Sequence, residues 1–315
     1  MRLIDAAEVR ANLTWEVAIP AVRAAMIALS MGETRQLLRS ILHFEDGRMF
    51  GVMPGAMGEA AAFGAKVISV FPQNFAAGRP SHQGVVLVFD PLTGALACVA
   101  DAREVTAIRT AAASAVATDA LARAGARRLA LLGYGEQAAT HVRAIAQVRA
   151  LESVTVWGRS AELAQAFAVR TQSELGLTVR AAATAQAAVA GADIVCTVTP
   201  AAEPILKGAW LAPGTHVNLV GSSFAGPREV DDDLVVRSRF IADYRDGVLQ
   251  QGAEFLHAKA AGLVGDDHIA GEIGEVLSGA VAGRRSADEI TAYKSLGHII
   301  QDLASVQALL EHPGA

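Results

Sequence analysis

The sequence predicts an α/β chain: a doubly wound parallel sheet joined to an α+β domain with a largely antiparallel sheet. Three observations predict it. From Leu129 onward, short apolar runs alternate with helical segments, the pattern of parallel strands linked by right-handed crossovers. Before Arg103, strand-like runs follow one another through turns such as Asp46-Gly47 and Pro91-Leu-Thr-Gly94, which are too short for a crossover. Glycines cluster where the first run of the alternating half ends, in Leu129-Ala-Leu-Leu-Gly-Tyr-Gly-Glu-Gln-Ala-Ala139.

Taken in order, residues 1 to about 34 read as helical, with Val17, Ala18, Ala21, Val22, Ala25 and Leu29 on one face. Strands are expected at 36–44, 48–53, 62–71, 83–89 and 95–100, followed by an alanine-rich helix from Arg103 to Ala124 that ends near Gly125. The parallel strands are expected at 129–132, 154–157, 178–181, 194–198, 216–220 and 240–242. Ser286-Ala-Asp-Glu289 has the spacing of a capping box, which predicts a last helix through about Leu310. The expected division is a domain over 1–117 completed by a helix over 288–315, and a second domain over 118–287.

The glycine cluster has the G-x-G-x-x-A form of a dinucleotide fingerprint. Gly133 allows a tight turn, Gly135 lets backbone approach a pyrophosphate, and Ala138 lets helix and strand lie close. The chain is expected to enter a helix at Ala138, whose first amides and dipole favour phosphate, with Glu136 and Gln137 among the expected cofactor contacts. An NAD site usually ends its second strand, about 20 residues on, with an acid for the ribose 2′-hydroxyl. Here that place holds Gly158-Arg159-Ser160, a cation and a hydroxyl that suit a 2′-phosphate, so the expected cofactor is NADP(H) rather than NAD(H).

Composition narrows the remaining classes. The chain of 315 residues is 52% hydrophobic and 19% charged, enough for large cores. A net charge of -5 and a pI near 5.9 argue against a nucleic-acid partner. No apolar run approaches the ~20 residues of a membrane span, and the first residues lack a signal-peptide core. Cys98 and Cys196 read as buried thiols of a cytoplasmic protein. The scattered histidines have no metal-ligand spacing, so no metal is expected.

Two cations stand out from their surroundings. Lys66 interrupts the apolar strand Phe63-Gly-Ala-Lys-Val-Ile, and Arg109 lies in an apolar stretch of helix, Thr106-Ala-Ile-Arg-Thr-Ala-Ala. A charge in such a setting is costly unless paired, so each is either half of a buried ion pair or an anchor for an anionic ligand. Lys66 could also extend its ammonium to solvent. In Leu37-Leu-Arg-Ser-Ile-Leu, alternation allows Arg39 a solvated face.

Several motifs in one order extend over nearly the whole chain: Met53-Pro54, Gly64-Ala-Lys66-Val, Pro80-Ser-His-Gln-Gly84, Arg109-Thr-Ala-Ala-Ala-Ser114, the fingerprint, Val156-Trp-Gly-Arg-Ser160, Gly191-Ala-Asp193, Glu203-Pro-Ile205, Pro213-Gly-Thr-His216 and Tyr293-Lys-Ser-Leu-Gly297. They make the chain resemble the ornithine cyclodeaminase/mu-crystallin family. The resemblance implies a homodimer, with an N-terminal domain for substrate and dimer contacts and a Rossmann domain for cofactor. It implies hydride transfer between an imine and an amine next to a nicotinamide. It places Arg39, Lys66 and Arg109 at the substrate carboxylate and His82 at the substrate pocket, although a lone histidine is as readily structural. It adds Ser81, Gln83, Thr197, Val220, Gly221 and Lys294 to the cofactor contacts.

Two positions depart from the cyclodeaminase pattern. Cyclodeaminases carry an aspartate after the fifth parallel strand, where this chain has Ser223 in Val220-Gly-Ser-Ser-Phe, and a glutamate in the strand before Met-Pro, where it has Gly51. A serine hydroxyl is a poor base for deprotonating an amine at neutral pH. Mu-crystallin and its ketimine-reducing relatives also have serine. The expectation is therefore NADPH-dependent reduction of cyclic imino acids such as Δ1-pyrroline-2-carboxylate or Δ1-piperideine-2-carboxylate. Lys66, Arg109 and Ser223 would be the catalytic residues. The alternatives are an ornithine cyclodeaminase, which would form proline and ammonia, and a non-catalytic NADPH-dependent binding protein.

Overall fold

A computed structural model describes residues 1–58, 61–75 and 77–311. The chain runs β1 (Arg2–Ile4), α1 (Ala6–Asn12), α2 (Trp15–Ser30), β2 (Arg35–Gln36), β3 (Ser40–His43), β4 (Met49–Ala56), β5 (Phe63–Val70), β6 (His82–Phe89) and β7 (Leu96–Asp101). Next come α3 (Ala102–Leu121), β8 (Arg128–Leu132), α4 (Glu136–Val148), β9 (Ser153–Trp157), α5 (Ala161–Leu175), β10 (Thr178–Ala181), α6 (Ala185–Val189) and β11 (Ile194–Thr197). It continues through β12 (His216–Leu219), α7 (Asp232–Arg237), β13 (Ser238–Ala242), α8 (Arg245–Gln251), α9 (Ala253–Ala260), β14 (Ile269–Glu272), α10 (Ile273–Ser278), β15 (Ile290–Lys294) and α11 (Ile299–Glu311). Two compact units result, Met1–Thr110 with His298–Ala315, and Ala111–Gly297.

The first unit holds a sheet in the order β1-β7-β6-β5-β4-β2, with β3 also paired to β4. It is antiparallel except for β1, which lies parallel to β7. Strand alternation divides the sheet into two apolar faces. Met53, Lys66, Val86 and Val88 point to one face and are buried beneath helices, and α11 lies on β4, β5 and β6 beside α2. Gly55 permits that approach, since a Cβ there would sit 2.7 Å from Cγ2 of Ile299. Phe50, Val52, Val67, Val85 and Leu87 point to the other face and are only half-buried, while Phe63 is exposed.

Two sequence expectations change in this unit. Residues 1–34 are not one helix: Arg2–Ile4 forms an edge strand, and the Asp5 carboxylate caps α1 by accepting the N–H groups of Ala7 and Glu8. The strand expected over 36–44 is two short strands with a break at 37–39. Arg39 lies in that break, so strand alternation does not decide which way it points.

The second unit is an all-parallel sheet in the order β10-β9-β8-β11-β12-β15-β13-β14. The order reverses between β8 and β11, the switch point at which doubly wound sheets bind ligands beyond the carboxyl ends of their strands. Central strands are apolar throughout, as Leu129–Leu132 and Ile194–Cys196 illustrate, because helices cover both faces. Asp193 anchors the start of β8. It accepts the N–H groups of Arg127 and Arg128, each at 3.0 Å, and pairs with the Arg123 guanidinium at 2.8 Å.

The helix expected from Ser286 is corrected. Ser286 Oγ does accept the Glu289 N–H at 3.2 Å, but the Glu289 carboxylate turns to Arg285 at 2.7 Å. The next residues, Ile290-Thr-Ala-Tyr-Lys294, are rich in β-branched and aromatic side chains and are buried on both faces as a strand between β12 and β13. The last helix therefore starts beyond Gly297, and the part of the expectation that falls on 312–315 lies outside the described residues.

Candidate active site

The sequence-predicted phosphate loop leaves β8 at Gly133, whose φ of +126° favours glycine; a Cβ there would lie 2.9 Å from the Val198 carbonyl oxygen. Gly135 caps α4 with ordinary φ, and nothing lies within 4 Å of where its Cβ would stand. That open space beside a helix N-terminus is the cradle a pyrophosphate needs. Glu136 and Gln137 form the first turn, and the Gln137 Oε1 is buried with no hydrogen-bond partner among the described residues. Beneath them His141 is fully buried between Ser114 Oγ at 2.9 Å and the Gln137 carbonyl at 2.7 Å. Burial holds its pKa down to about 4, so it is a neutral support for the helix.

Past β9, Gly158 is required because the Tyr134 ring takes its side-chain space; a Cβ would lie 2.2 Å from the ring. Arg159 is exposed and has no ion pair among the described residues. Ser160 caps α5 by accepting the Leu163 N–H at 3.2 Å, which leaves its hydroxyl proton free to donate. The residues present therefore fit a dinucleotide, with a cation at the end of the second strand.

The loop after β12 carries Val220, Gly221 and Ser223, with Thr197 buried at the end of β11. Glu229 ties this region together from inside. Its carboxylate accepts the Thr199 N–H at 2.6 Å, the Thr199 hydroxyl at 2.7 Å and the Gly221 N–H at 2.7 Å. Burial raises its pKa, while Thr197, Thr199 and the charge of Lys294 oppose the rise. Lys294, expected among the cofactor contacts, lies inside the second unit. Its ammonium is fully buried, 2.8 Å from Glu254 and donating to the Ser222 carbonyl at 2.5 Å. Lys294 supports the loop from beneath.

In the first unit Lys66 comes from β5 and Arg109 from α3, only 2% and 4% exposed. The sequence left open whether they were an ion pair or ligand anchors, and both meet a residue that sequence reasoning missed, Asp302 of α11. Lys66 Nζ lies 3.1 Å from Asp302 Oδ1 and 3.0 Å from Oδ2, and Arg109 Nε lies 3.0 Å from Oδ1. Arg109 also donates to Gln301 Oε1 at 2.7 Å. Lys66 does not extend to solvent. Burial first, then the charge of Arg109, pull its pKa down to about 7, with Asp302 opposing and Arg39 adding to the fall. Half-buried Arg39 therefore belongs to the same electrostatic cluster, as does buried His298, whose pKa burial holds near 3.

Ser81, His82 and Gln83 stand at the start of β6 in this first unit, with Ser81 Oγ 2.9 Å from His82 Nδ1. Gly51 lies opposite Ile68 in the β4–β5 ladder, on the face that carries Lys66. A Cβ there would meet nothing closer than 3.5 Å, so the glycine is no steric necessity.

The chain matches the ornithine cyclodeaminase/mu-crystallin family over residues 2–313. It belongs to that family. The ketimine reductase mu-crystallin of Mus musculus is 36% identical over 98% of this chain and 96% of its own length. The Delta(1)-pyrroline-2-carboxylate reductase of Paracoccus denitrificans is 37% identical over 78% of each chain. Among solved structures, the Thermococcus litoralis Delta(1)-pyrroline-2-carboxylate reductase in complex with NADH and L-proline superposes with a TM-score of 0.95, at 32% identity, over 99% of this chain and 98% of that one. These family members are named as reductases of carbon–nitrogen double bonds.

Proposed function

We propose that this protein is an NADPH-dependent reductase of cyclic 2-imino acids, of the kind represented by Δ1-pyrroline-2-carboxylate and Δ1-piperideine-2-carboxylate. The observation that carries the reading is the cation cluster of the first unit. Lys66 and Arg109, both buried, share the single carboxylate of Asp302, which leaves positive charge for a substrate carboxylate, and Arg39 lies in the same cluster. The names of the relatives support the same reaction class.

Reducing a C=N bond adds a hydride at carbon and a proton at nitrogen. When bound, the reduced nicotinamide supplies the hydride. Gly133, Gly135, Glu136 and Gln137 would hold its phosphates, and Arg159 and Ser160 its 2′-phosphate. Thr197, Val220 and Gly221 would border its nicotinamide end, and Ser81 and Gln83 are further contacts. Arg39 and Arg109 bind the substrate carboxylate, and His82 borders the substrate. Lys66, with a pKa near 7, holds a proton at Nζ that it can release to the imine nitrogen near neutral pH. Ser223 orients substrate or a water. Neither Gly51 nor Ser223 supplies the carboxylate that deamination of an ammonium substrate would require.

The preference for NADPH rests on Arg159 and Ser160. We assign substrate and dimer contacts to the first unit and cofactor binding to the second. The half-buried apolar face of the first unit's sheet, which includes Phe50, Val52 and Leu87 with Phe63 exposed, supports a homodimer. Buried free Cys98 and Cys196 are compatible with a reducing cytoplasm. Among the described residues no single helix is long and apolar enough to cross a membrane. The test is NADPH consumption against a panel of cyclic ketimines. Turnover of at least one supports the reading, and turnover of none counts against it.

A further inference from the structure

Asp302 is the least expected member of the cation cluster. It is fully buried on α11, yet it reaches partners on two other elements, Lys66 of β5 and Arg109 of α3. Structural Asp193 is also shared, between Arg123 and Arg128, but those arginines are 40% and 55% exposed and keep their contact with water. Here a single carboxylate is shared between two cations that are only 2% and 4% exposed. Without an anion, such a group would repel itself in a low-dielectric setting. With a fully matched set of anions, it would have no affinity left for a substrate carboxylate. Asp302 leaves the group between these limits.

We propose that Asp302 is a positioning residue of the reaction: its carboxylate aims the Arg109 guanidinium at the substrate carboxylate and the Lys66 ammonium at the imine nitrogen beside it. The inference rests on the reading above, in which those two cations bind substrate. Gln301 completes the device by fixing a second nitrogen of Arg109 at 2.7 Å, so the guanidinium plane is set by two consecutive residues of one helix. Asp302 itself stays ionised, because the charges of Arg109 and Lys66 outweigh its burial and hold its pKa low. The groups that act on Lys66 are Arg39 from the break before β3, Arg109 from α3 and Asp302 from α11; His82 of β6 and His298 before α11 feel its charge in turn. Of these, Asp302 raises the proton affinity of Lys66, and Arg109 and Arg39 lower it.

The test compares the full-length protein with Asp302→Asn and Asp302→Glu. Ketimine reduction is followed as kcat/KM against pH, and binding of pyrrole-2-carboxylate, a flat carboxylate that takes up no hydride, is followed in the presence of NADPH. For Asp302→Asn, the alkaline limb is expected to move to lower pH by about 1–3 units, the usual effect of a nearby opposite charge. Its pyrrole-2-carboxylate affinity is expected to fall at least tenfold while NADPH affinity is kept. Asp302→Glu keeps the charge but moves it, so the limb should stay in place while kcat/KM falls. If Asp302→Asn does not fold, Asp302→Glu decides: kcat/KM equal to that of the unmodified protein overturns the proposal. An Asp302→Asn variant that loses activity with its limb and its pyrrole-2-carboxylate affinity unmoved also overturns it. If the unmodified protein binds pyrrole-2-carboxylate in an Asp302-dependent way but reduces no ketimine, the reaction is wrong and the positioning role stands. If it binds neither compound, both fail.

Discussion

At the scale of single residues, Lys66 and Arg109 show what a sequence reveals and what it conceals. A charge inside an apolar run was enough to single out both, because such a charge must have a partner. The partner was not legible, since Asp302 lies 236 residues from Lys66 and 193 from Arg109. Asp302 and Lys294 carry the same signature of a charge among apolar neighbours, and both proved to be fully buried. Lys66 is expected to impose a pH limit. Its pKa lies near 7, so the proton it is proposed to donate is present below that pH and is lost as pH rises through it. The kcat/KM for ketimine should therefore fall on the alkaline side with a midpoint near 7, and Lys66→Ala should abolish that limb along with most of the activity. A profile flat up to the ordinary lysine value of 10.5 would remove Lys66 as the proton donor. Arg159 offers a second check. A charge-assisted hydrogen bond is worth about 1.5–3 kcal/mol, so Arg159→Ala should weaken NADPH by roughly ten- to a hundredfold and leave NADH nearly unchanged. Equal loss for both cofactors would place the arginine elsewhere.

At the scale of elements, the phosphate loop was readable residue by residue because its requirements are local: a strand, a turn and a helix N-terminus within a dozen positions. The two glycines nevertheless have different duties, and only the structure separates them. Gly133 has positive φ and no room for a Cβ, whereas Gly135 has ordinary φ and open space. Gly133→Ala is expected to lower the melting temperature. Gly135→Val should lower the melting temperature less than Gly133→Ala does, since it loses only a cap preference, and should raise the cofactor KM, because its side chain fills the cradle. Unchanged cofactor affinity in Gly135→Val would contradict the placement of the pyrophosphate. The element that sequence misread, 286–294, failed for a physical reason. A capping-box spacing is a local signal satisfied by one turn, whereas β15 owes its existence to two neighbouring strands drawn from distant parts of the chain.

At the scale of the whole molecule, the alternation of strands and helices after Leu129 was enough to predict the doubly wound sheet, and β8 to β12 fall where their apolar runs predicted. Edge and return strands such as β1 and β14 were not visible, being short and defined by what they pair with. The family adds the reaction class, and two positions decide the chemistry claimed within it. If, as the resemblance implies, Ser223 and Gly51 stand where cyclodeaminases have carboxylates, this protein should take a preformed imine rather than generate one from an amine. The most direct measurement gives the purified protein Δ1-pyrroline-2-carboxylate with NADPH, and separately L-ornithine with oxidised cofactor, and quantifies proline and ammonia. Proline is expected from the imine, and little or no ammonia from ornithine. Robust conversion of ornithine to proline and ammonia, with no reduction of the imine, would contradict this reading.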